Sequence, residues 1–569
     1  MKYSFPFRIK VLSIGILLFG LVLITRLFFV QVIHNGSYTE RADQQYATPS
    51  SNIFERGTIY FSTKDAELVS AGVQVTGFKL AINPTQITDG EAIYKTLSEK
   101  VVIDREEFMS KVAKTKDPYE EVAHHLSEEE ANAISAMKIP GVSIFKEKWR
   151  FYPGNNLAAH VLGFLGYKGD ELAGRYGVER EYESVLSRGA DNPYVNFFAE
   201  VFSNIRSSLD SSDEKKGSVV TTIEPSVQDF LQKKLQEVKT KYQPNSVGGI
   251  IMNPVDGSIY AMGVNPDFNP NDFSKVKDTA IFSNPLVEGV LEFGSVVKPL
   301  VMAGAIDAGV LNANTTYTDK GSVVVEKHEI FNFDKKARGA GTTMQEVLNQ
   351  SLNTGMVFVE QRLGRKNLRD YLLSYGIKDK TGIDLPNETS GLVSNLYTPR
   401  EIEYANASFG QGIALTPVEM VRALASLSNG GNLVVPHVVK AIKYEKNGAK
   451  EITYPTTRAK ISPETAEEIT RMMVGVMDAY GDGKTKLPHY SIAAKTGTAQ
   501  VANHVTGGYY DDRNTHSFVG FFPAYDPKFI VFLYAVNPVG SQYASITWTT
   551  PFLDITKFLL NYYEVPPDR

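Results

Sequence analysis

Residues 300–306, Leu-Val-Met-Ala-Gly-Ala-Ile, present no polar face. A helix that is apolar all round must be buried on every side, so the chain has to build a layered domain around it. The stretch leading in reads Phe293-Gly294-Ser295-Val296-Val297-Lys298-Pro299. Gly294 lets the chain turn tightly into the helix. Pro299 is tolerated in a first turn, where the amides have no intrahelical partner to lose. Ser295 and Lys298, three positions apart, then lie on one face. A hydroxyl at a helix start beside an amine is the layout of an activated nucleophile.

Ser-x-x-Lys also begins at Ser135, Ser143, Ser212 and Ser274, but only Ser295 follows a glycine and opens a long apolar run. Two later motifs complete a set. Ser351-Leu352-Asn353 opens a segment of helical pattern, and Lys495-Thr496-Gly497-Thr498 sits inside a strand pattern. Each has a competitor, Ser50-Ser51-Asn52 and Lys380-Thr381-Gly382. The second of these runs into Ile383-Asp384-Leu385-Pro386 and reads as a turn. Only the set at 295, 351 and 495 has a consistent order and local structure.

The chain has 569 residues, 43% hydrophobic and 22% charged, an ordinary globular composition with room for several cores. A formal net charge of −5 gives no reason to expect nucleic acid as a partner. Without cysteine, neither disulfides nor thiolate metal sites are available. Residues 11–30 form a largely apolar run with a single charge, Arg26, about the length needed to cross a bilayer core. Lys2, Arg8 and Lys10 precede them, so residues 1–10 are expected in the cytoplasm and the rest outside it. No small-residue cleavage site follows, so a retained single-pass anchor is expected rather than a signal peptide.

Residues 31–218 mix short strands and helices. A strand is expected at residues 56–61 and a helix at 128–137 that stops before Ile139-Pro140-Gly141. His124 and His125 read as a surface pair, with no third ligand spaced to join them in holding a metal. The Ser- and charge-rich residues 206–218 read as a boundary. From residue 219 the texture changes. Strands are expected at 219–223, 247–252, 258–264, 491–501, 517–522 and 529–536, with Asp256-Gly257 as a hairpin turn. A helix is expected at 228–242, and Phe552, Ile555, Leu559 and Tyr562 mark the apolar face of a terminal helix. Residues 219–569 thus read as one large domain, antiparallel strands at both ends of its sequence and helices between.

On its three motifs the chain resembles the class B penicillin-binding proteins, monofunctional peptidoglycan transpeptidases. Residues 26–32, 56–60, Tyr152-Pro153, 158–166, 177–182, Phe409-Gly410-Gln411-Gly412 and Thr416-Pro417 resemble further signatures of that family. Phe293 stands where Pro is common, Val296-Val297 where Thr-Phe is, and Ser62-Thr63-Lys64-Asp65 replaces a usual Asp-Arg-Asn-Gly. The resemblance implies an α/β (α+β) transpeptidase domain with an antiparallel sheet and helices. Before it would come a mixed α+β, elongated pedestal (dimerisation-type) domain and the single transmembrane helix.

The substrate implied is peptidoglycan stem peptides ending in D-Ala-D-Ala, with β-lactams as covalent inhibitors and no cofactor or metal. Ser295 would be the nucleophile and Lys298 its base, Ser351 a proton shuttle and Asn353 a hydrogen-bonding partner of Lys298 and substrate. Lys495, Thr496 and Thr498 would take the substrate carboxylate, and Gly497 would leave the strand edge clear for an extended peptide. The backbone amides of Ser295 and Thr498 would form the oxyanion hole. A partner polymerase of the SEDS family in the cytoplasmic membrane is implied, together with other cell-wall complex proteins. The role implied is in cell division or elongation, with residues 160–179 more similar to the septal branch. The alternatives are a membrane-anchored β-lactam sensor and a β-lactamase-like serine hydrolase.

Overall fold

The computed structural model describes residues 18–20, 55–168, 171–187, 216–483, 485–503 and 507–569. The segment expected to span a membrane lies outside the described residues except for 18–20, which are helical. Among the described residues no helix is long and apolar enough to cross a membrane. The chain packs as two compact units, one centred on Val75–Trp149 and the other made of Arg56–Gln74, Arg150–Arg188 and Val195–Arg569.

Strands β1 (Ile59–Ser62) and β2 (Leu68–Ile82) pair antiparallel, Tyr60 opposite Ser70, within the larger unit. The later part of β2 pairs with β3 (Glu120–Leu126) in the smaller unit, Phe78 opposite Leu126. β4 (Val142–Phe151) also pairs with β2. Three helices flank these strands: α1 (Gly90–Ser98), α2 (Arg105–Val112) and α3 (Glu128–Ala136). Asp89, Asp104 and Ser127 cap them, each accepting from an orphan amide of the first turn. Leu80, Leu97, Phe108, Leu126 and Ile134 form that unit's core. The His124–His125 pair lies at the exposed end of β3, where His124 meets Glu121 and Glu147, and His125 stacks on Trp149.

Two sheets are the largest of those in the larger unit. In one, β5 (Gly217–Thr221) lies between β1 and β8 (Val439–Tyr444), and β8 pairs with β9 (Gly448–Glu451). The other is antiparallel and five-stranded. It joins the hairpin β6 (Ser246–Met252) and β7 (Ile259–Asn265) to the C-terminal β10 (Ala493–Ala502), β11 (Tyr509–Phe522) and β12 (Phe529–Val536). Its order is β10-β11-β12-β6-β7, so β10 is an edge strand.

One face of this sheet is covered by α4 (Pro225–Tyr242) and the terminal helix α9 (Ala544–Tyr562), through Val227, Leu231, Trp548, Phe552 and Ile555. The other carries α5 (Lys298–Asp307), α6 (Asn353–Leu363), α7 (Pro417–Ser428) and α8 (Pro463–Ala479). Every residue of α5 from Lys298 to Ala305 is buried, as its apolar circumference requires. Gly304 lies under Tyr371, where a Cβ would come within 2.8 Å of the ring.

Candidate active site

The turn that carries Ser295 precedes α5. Residues Gly294–Val297 form a 3₁₀ turn that runs straight into the helix at Lys298. In a 3₁₀ turn positions i and i+3 eclipse, which places Ser295 and Lys298 on one side more strictly than an α-turn would. Gly294 has φ +62, and a Cβ there would stand 2.9 Å from the carbonyl oxygen of Thr498 on β10. The Gly294 amide donates to the Gly410 carbonyl at 3.1 Å. Gly410, itself at φ +83, would set a Cβ 2.1 Å from the Gly294 oxygen. Only glycines allow the two chains to approach so closely.

Lys298 is fully buried, and its Nζ donates to the Ser351 carbonyl at 2.7 Å and to Asn353 Oδ1 at 2.8 Å. The Ser351 hydroxyl is 3.3 Å from Lys298 Nζ and 3.0 Å from Lys495 Nζ, so one oxygen stands between two amines. Ser351 reaches that position with φ +54, an uncommon backbone state for serine that costs energy and recurs at functional sites. Lys495 is 2% exposed and also donates to its neighbour's carbonyl, Thr496 O, at 3.0 Å. Burial, and then the charge of Lys495, hold the Lys298 amine well below the usual lysine range. Burial brings Lys495 down to about 7.

The structure therefore brings Ser295, Lys298, Ser351, Asn353 and Lys495 together. Ser295, Ser351, Asn353, Lys495, Thr496 and Thr498 all line one cleft of about 680 Å³. Thr498 also accepts a hydrogen bond at Oγ1 from the Ala544 amide, which ties β10 to the start of α9. Gly497 needs a correction. Its missing side chain does not clear the strand edge for a peptide, because a Cβ there would point inward, 2.3 Å from both Phe293 O and Ser517 Oγ. The room it leaves is filled by the turn that carries Ser295. Lys380-Thr381-Gly382 lies elsewhere, in a turn where Glu388 accepts from the Thr381 and Gly382 amides.

Residues 247–555 match the family described as Penicillin binding protein transpeptidase domain, and residues 54–222 the one described as Penicillin-binding Protein dimerisation domain. The chain belongs to the class B penicillin-binding proteins. It is 29% identical over 543 residues to Stage V sporulation protein D of Bacillus subtilis, covering 93% of this chain and 81% of that one. To Peptidoglycan D,D-transpeptidase MrdA of Acinetobacter baumannii it is 28% identical over 568 residues, covering 90% and 82%. Its fold is similar to that of Penicillin Binding Protein 2X from Streptococcus thermophilus, with a TM-score of 0.72 at 20% identity over 90% of this chain and 81% of that one.

Several residues that shape this class B site were not singled out from the sequence. Ser517 on β11 donates to Phe293 O at 2.8 Å and so pins the turn that carries Ser295 to the sheet. Behind the Ser351 motif, buried Asp319 accepts from Thr354 Oγ1 at 2.8 Å and from Asn332 Nδ2 at 3.0 Å, which fixes the start of α6. Phe333 and Tyr543, both lining the cleft, meet edge to face with centroids 5.7 Å apart. None of these carries a local signal, because each acts on a partner distant in sequence. The Gly410 signature had been noticed, and its task is now visible: Gly410 backs Gly294, while Phe409 and Gln411 line the cleft.

Proposed function

We propose that Ser295 is the nucleophile with which this enzyme, a serine-type peptidoglycan D,D-transpeptidase, forms its acyl-enzyme on D-Ala-D-Ala donors. The observation that carries the assignment is the Ser351 hydroxyl set between the amines of Lys298 and Lys495, at 3.3 and 3.0 Å. A neutral Lys298 has two protons. The Ser351 carbonyl and Asn353 Oδ1 take both, which leaves the amine's lone pair for an incoming hydroxyl proton.

Ser295 Oγ attacks the penultimate D-Ala carbonyl and passes its proton to Lys298. The new C–O bond forms, and the charge on the carbonyl oxygen is met by the amides of Ser295 and Thr498. As the C–N bond breaks, the proton travels through Ser351 to the leaving D-Ala amine. Lys495, Thr496 and Thr498 hold the donor's terminal carboxylate. In the second half the amine of a neighbouring stem peptide attacks the ester. Its proton goes to Lys298, and the C–O bond to Ser295 breaks with return of a proton to the hydroxyl. The open edge of β10 supports an extended donor pairing alongside the strand.

Residues 11–30 serve as the membrane anchor, with residues 1–10 in the cytoplasm, 31–218 as the pedestal and 219–569 as the transpeptidase domain outside. A SEDS-family glycan polymerase is the expected partner, and the septal branch is slightly favoured. Purified protein should label stably with a fluorescent penicillin and release the label slowly, and a separate, unlabelled sample given polymerised glycan with D-Ala-D-Ala stems should cross-link it. Rapid release of hydrolysed penicillin would make it a β-lactamase. Stable labelling with no cross-linking would make it a sensor.

A further inference from the structure

The cleft that holds Ser295 has an unusual chemical balance. Four asparagines and four glutamines line it, eight carboxamides, alongside two lysines, Lys335 and Lys495, and no aspartate or glutamate. Lys495 belongs to the catalytic group and is buried. Lys335 is exposed, its ammonium 5.1 Å from the centroid of the Phe331 ring. The carboxylates nearest in sequence are already engaged. Asp334, beside Lys335, is held by Arg338 at 2.8 and 2.9 Å. Asp319 lies buried behind the wall on Asn332, Thr354 and the amides of Gly321 and Arg338. On β11, Asn514 faces Gln500 of β10 across the strand pair, two positions beyond Thr498, and both line the cleft. Asp512 lies further out, exposed and 3.8 Å from Arg513, and is not part of the lining.

We propose that Lys335, with Gln500 and Asn514, makes this cleft select acyl donors whose side chain ahead of the scissile bond carries a carboxylate, over donors carrying an ammonium there. This rests on the transpeptidase reading above and adds the donor's charge class to it. A donor ammonium would meet the Lys335 cation and no carboxylate of the lining, since Lys495 is taken by the donor's own terminal carboxylate, and would lose water without gaining a counter-charge. A donor carboxylate would find a cation and carboxamide N–H donors, which favour carboxylate oxygens without fixing a single geometry. Because Lys335 is exposed, the preference is a single screened charge effect of about fivefold and falls with salt.

Three penicillins differing only at the side-chain α-carbon test it: benzylpenicillin, its α-carboxy analogue and its α-amino analogue. Second-order acylation constants measured on the full chain at low salt should rank carboxylate, then hydrogen, then ammonium, with about fivefold or more between the extremes. The carboxylate-to-ammonium ratio should shrink at high salt and in Lys335→Gln. An equal or reversed ranking would overturn the proposal, as would a ratio unchanged in Lys335→Gln. Acylation by none of the three would instead remove the transpeptidase reading on which it stands.

Discussion

At the scale of single residues, the catalytic amines are paid for in stability. Lys495 titrates at about 7 in the folded chain against an ordinary 10.5. Between those values the unfolded chain binds more protons, so burying Lys495 destabilises the fold fully below pH 7, and the penalty vanishes above 10.5. Lys495→Met should therefore raise Tm at pH 7, by about 1 °C for each ~1 kcal/mol relieved, because a chain of this size shifts less than a smaller domain does. The gain should fade toward pH 10 in a thermal-melt series. The same substitution removes the charge that helps depress Lys298. Residual acylation should then lose its acid limb at a higher pH than in the wild type. A melt unchanged at pH 7, with an unshifted acid limb, would mean that the two amines do not share one field. The sequence made both lysines legible as local patterns, a Ser-x-x-Lys at a helix start and a Lys inside a strand, while their meeting in one site was implied by the family resemblance. It could not reveal that Ser351 adopts φ +54 to sit between them.

At the scale of elements, β10 is the strand on which the site is hung. Its Gly497 lies under Phe293, and Ser517 opposite donates to the same carbonyl. Gly497→Ala should cost roughly 1–3 kcal/mol of overpacking and displace the nucleophile turn. Ser517→Ala should leave the fold intact and slow acylation about fivefold, since one neutral hydrogen bond of about 1 kcal/mol then no longer holds Ser295 in register. Lys380→Ala, in the other Lys-Thr-Gly, should acylate at the wild-type rate. A loss there matching that of Lys495→Ala would reassign the motif.

How much of these elements was legible follows from where the forces act. The strands at 247–252 and 529–536 were readable because both faces are buried and the run is continuously apolar. β11 was read only from Ser517, yet it begins at Tyr509, because Tyr-Tyr-Asp-Asp-Arg-Asn has no apolar pattern and is held by pairing with β10. Alternation said which residues of β10 share a face but not what each face meets, hence the misplaced role for Gly497.

At the scale of the whole molecule, three signatures far apart in sequence converge on one buried carboxylate. Glu179 accepts from Arg56 Nε and from Arg150 Nε, both at 2.6 Å, and from the Tyr152 hydroxyl at 3.1 Å. Burial pushes its pKa up, but the two guanidiniums outweigh that and hold it below the ordinary carboxylate value. Its contribution is thus complete above about pH 4.5 and lost as pH falls through the folded value. Glu179→Ala leaves Arg56 with Glu183 alone and buried Arg150 with no carboxylate, and should cost about 3–5 kcal/mol in urea unfolding, while penicillin labelling per folded molecule is unchanged. A fall in labelling of the folded fraction would mean that this cluster reaches the cleft.

The most direct measurement is a mass map of the full-length chain after reaction with a penicillin, run beside Ser295→Ala. The adduct should fall on the peptide that contains Ser295 and be absent from the variant, with the variant's melting profile preserved. An adduct on any other residue, or a labelled Ser295→Ala chain, would contradict the assignment of the nucleophile.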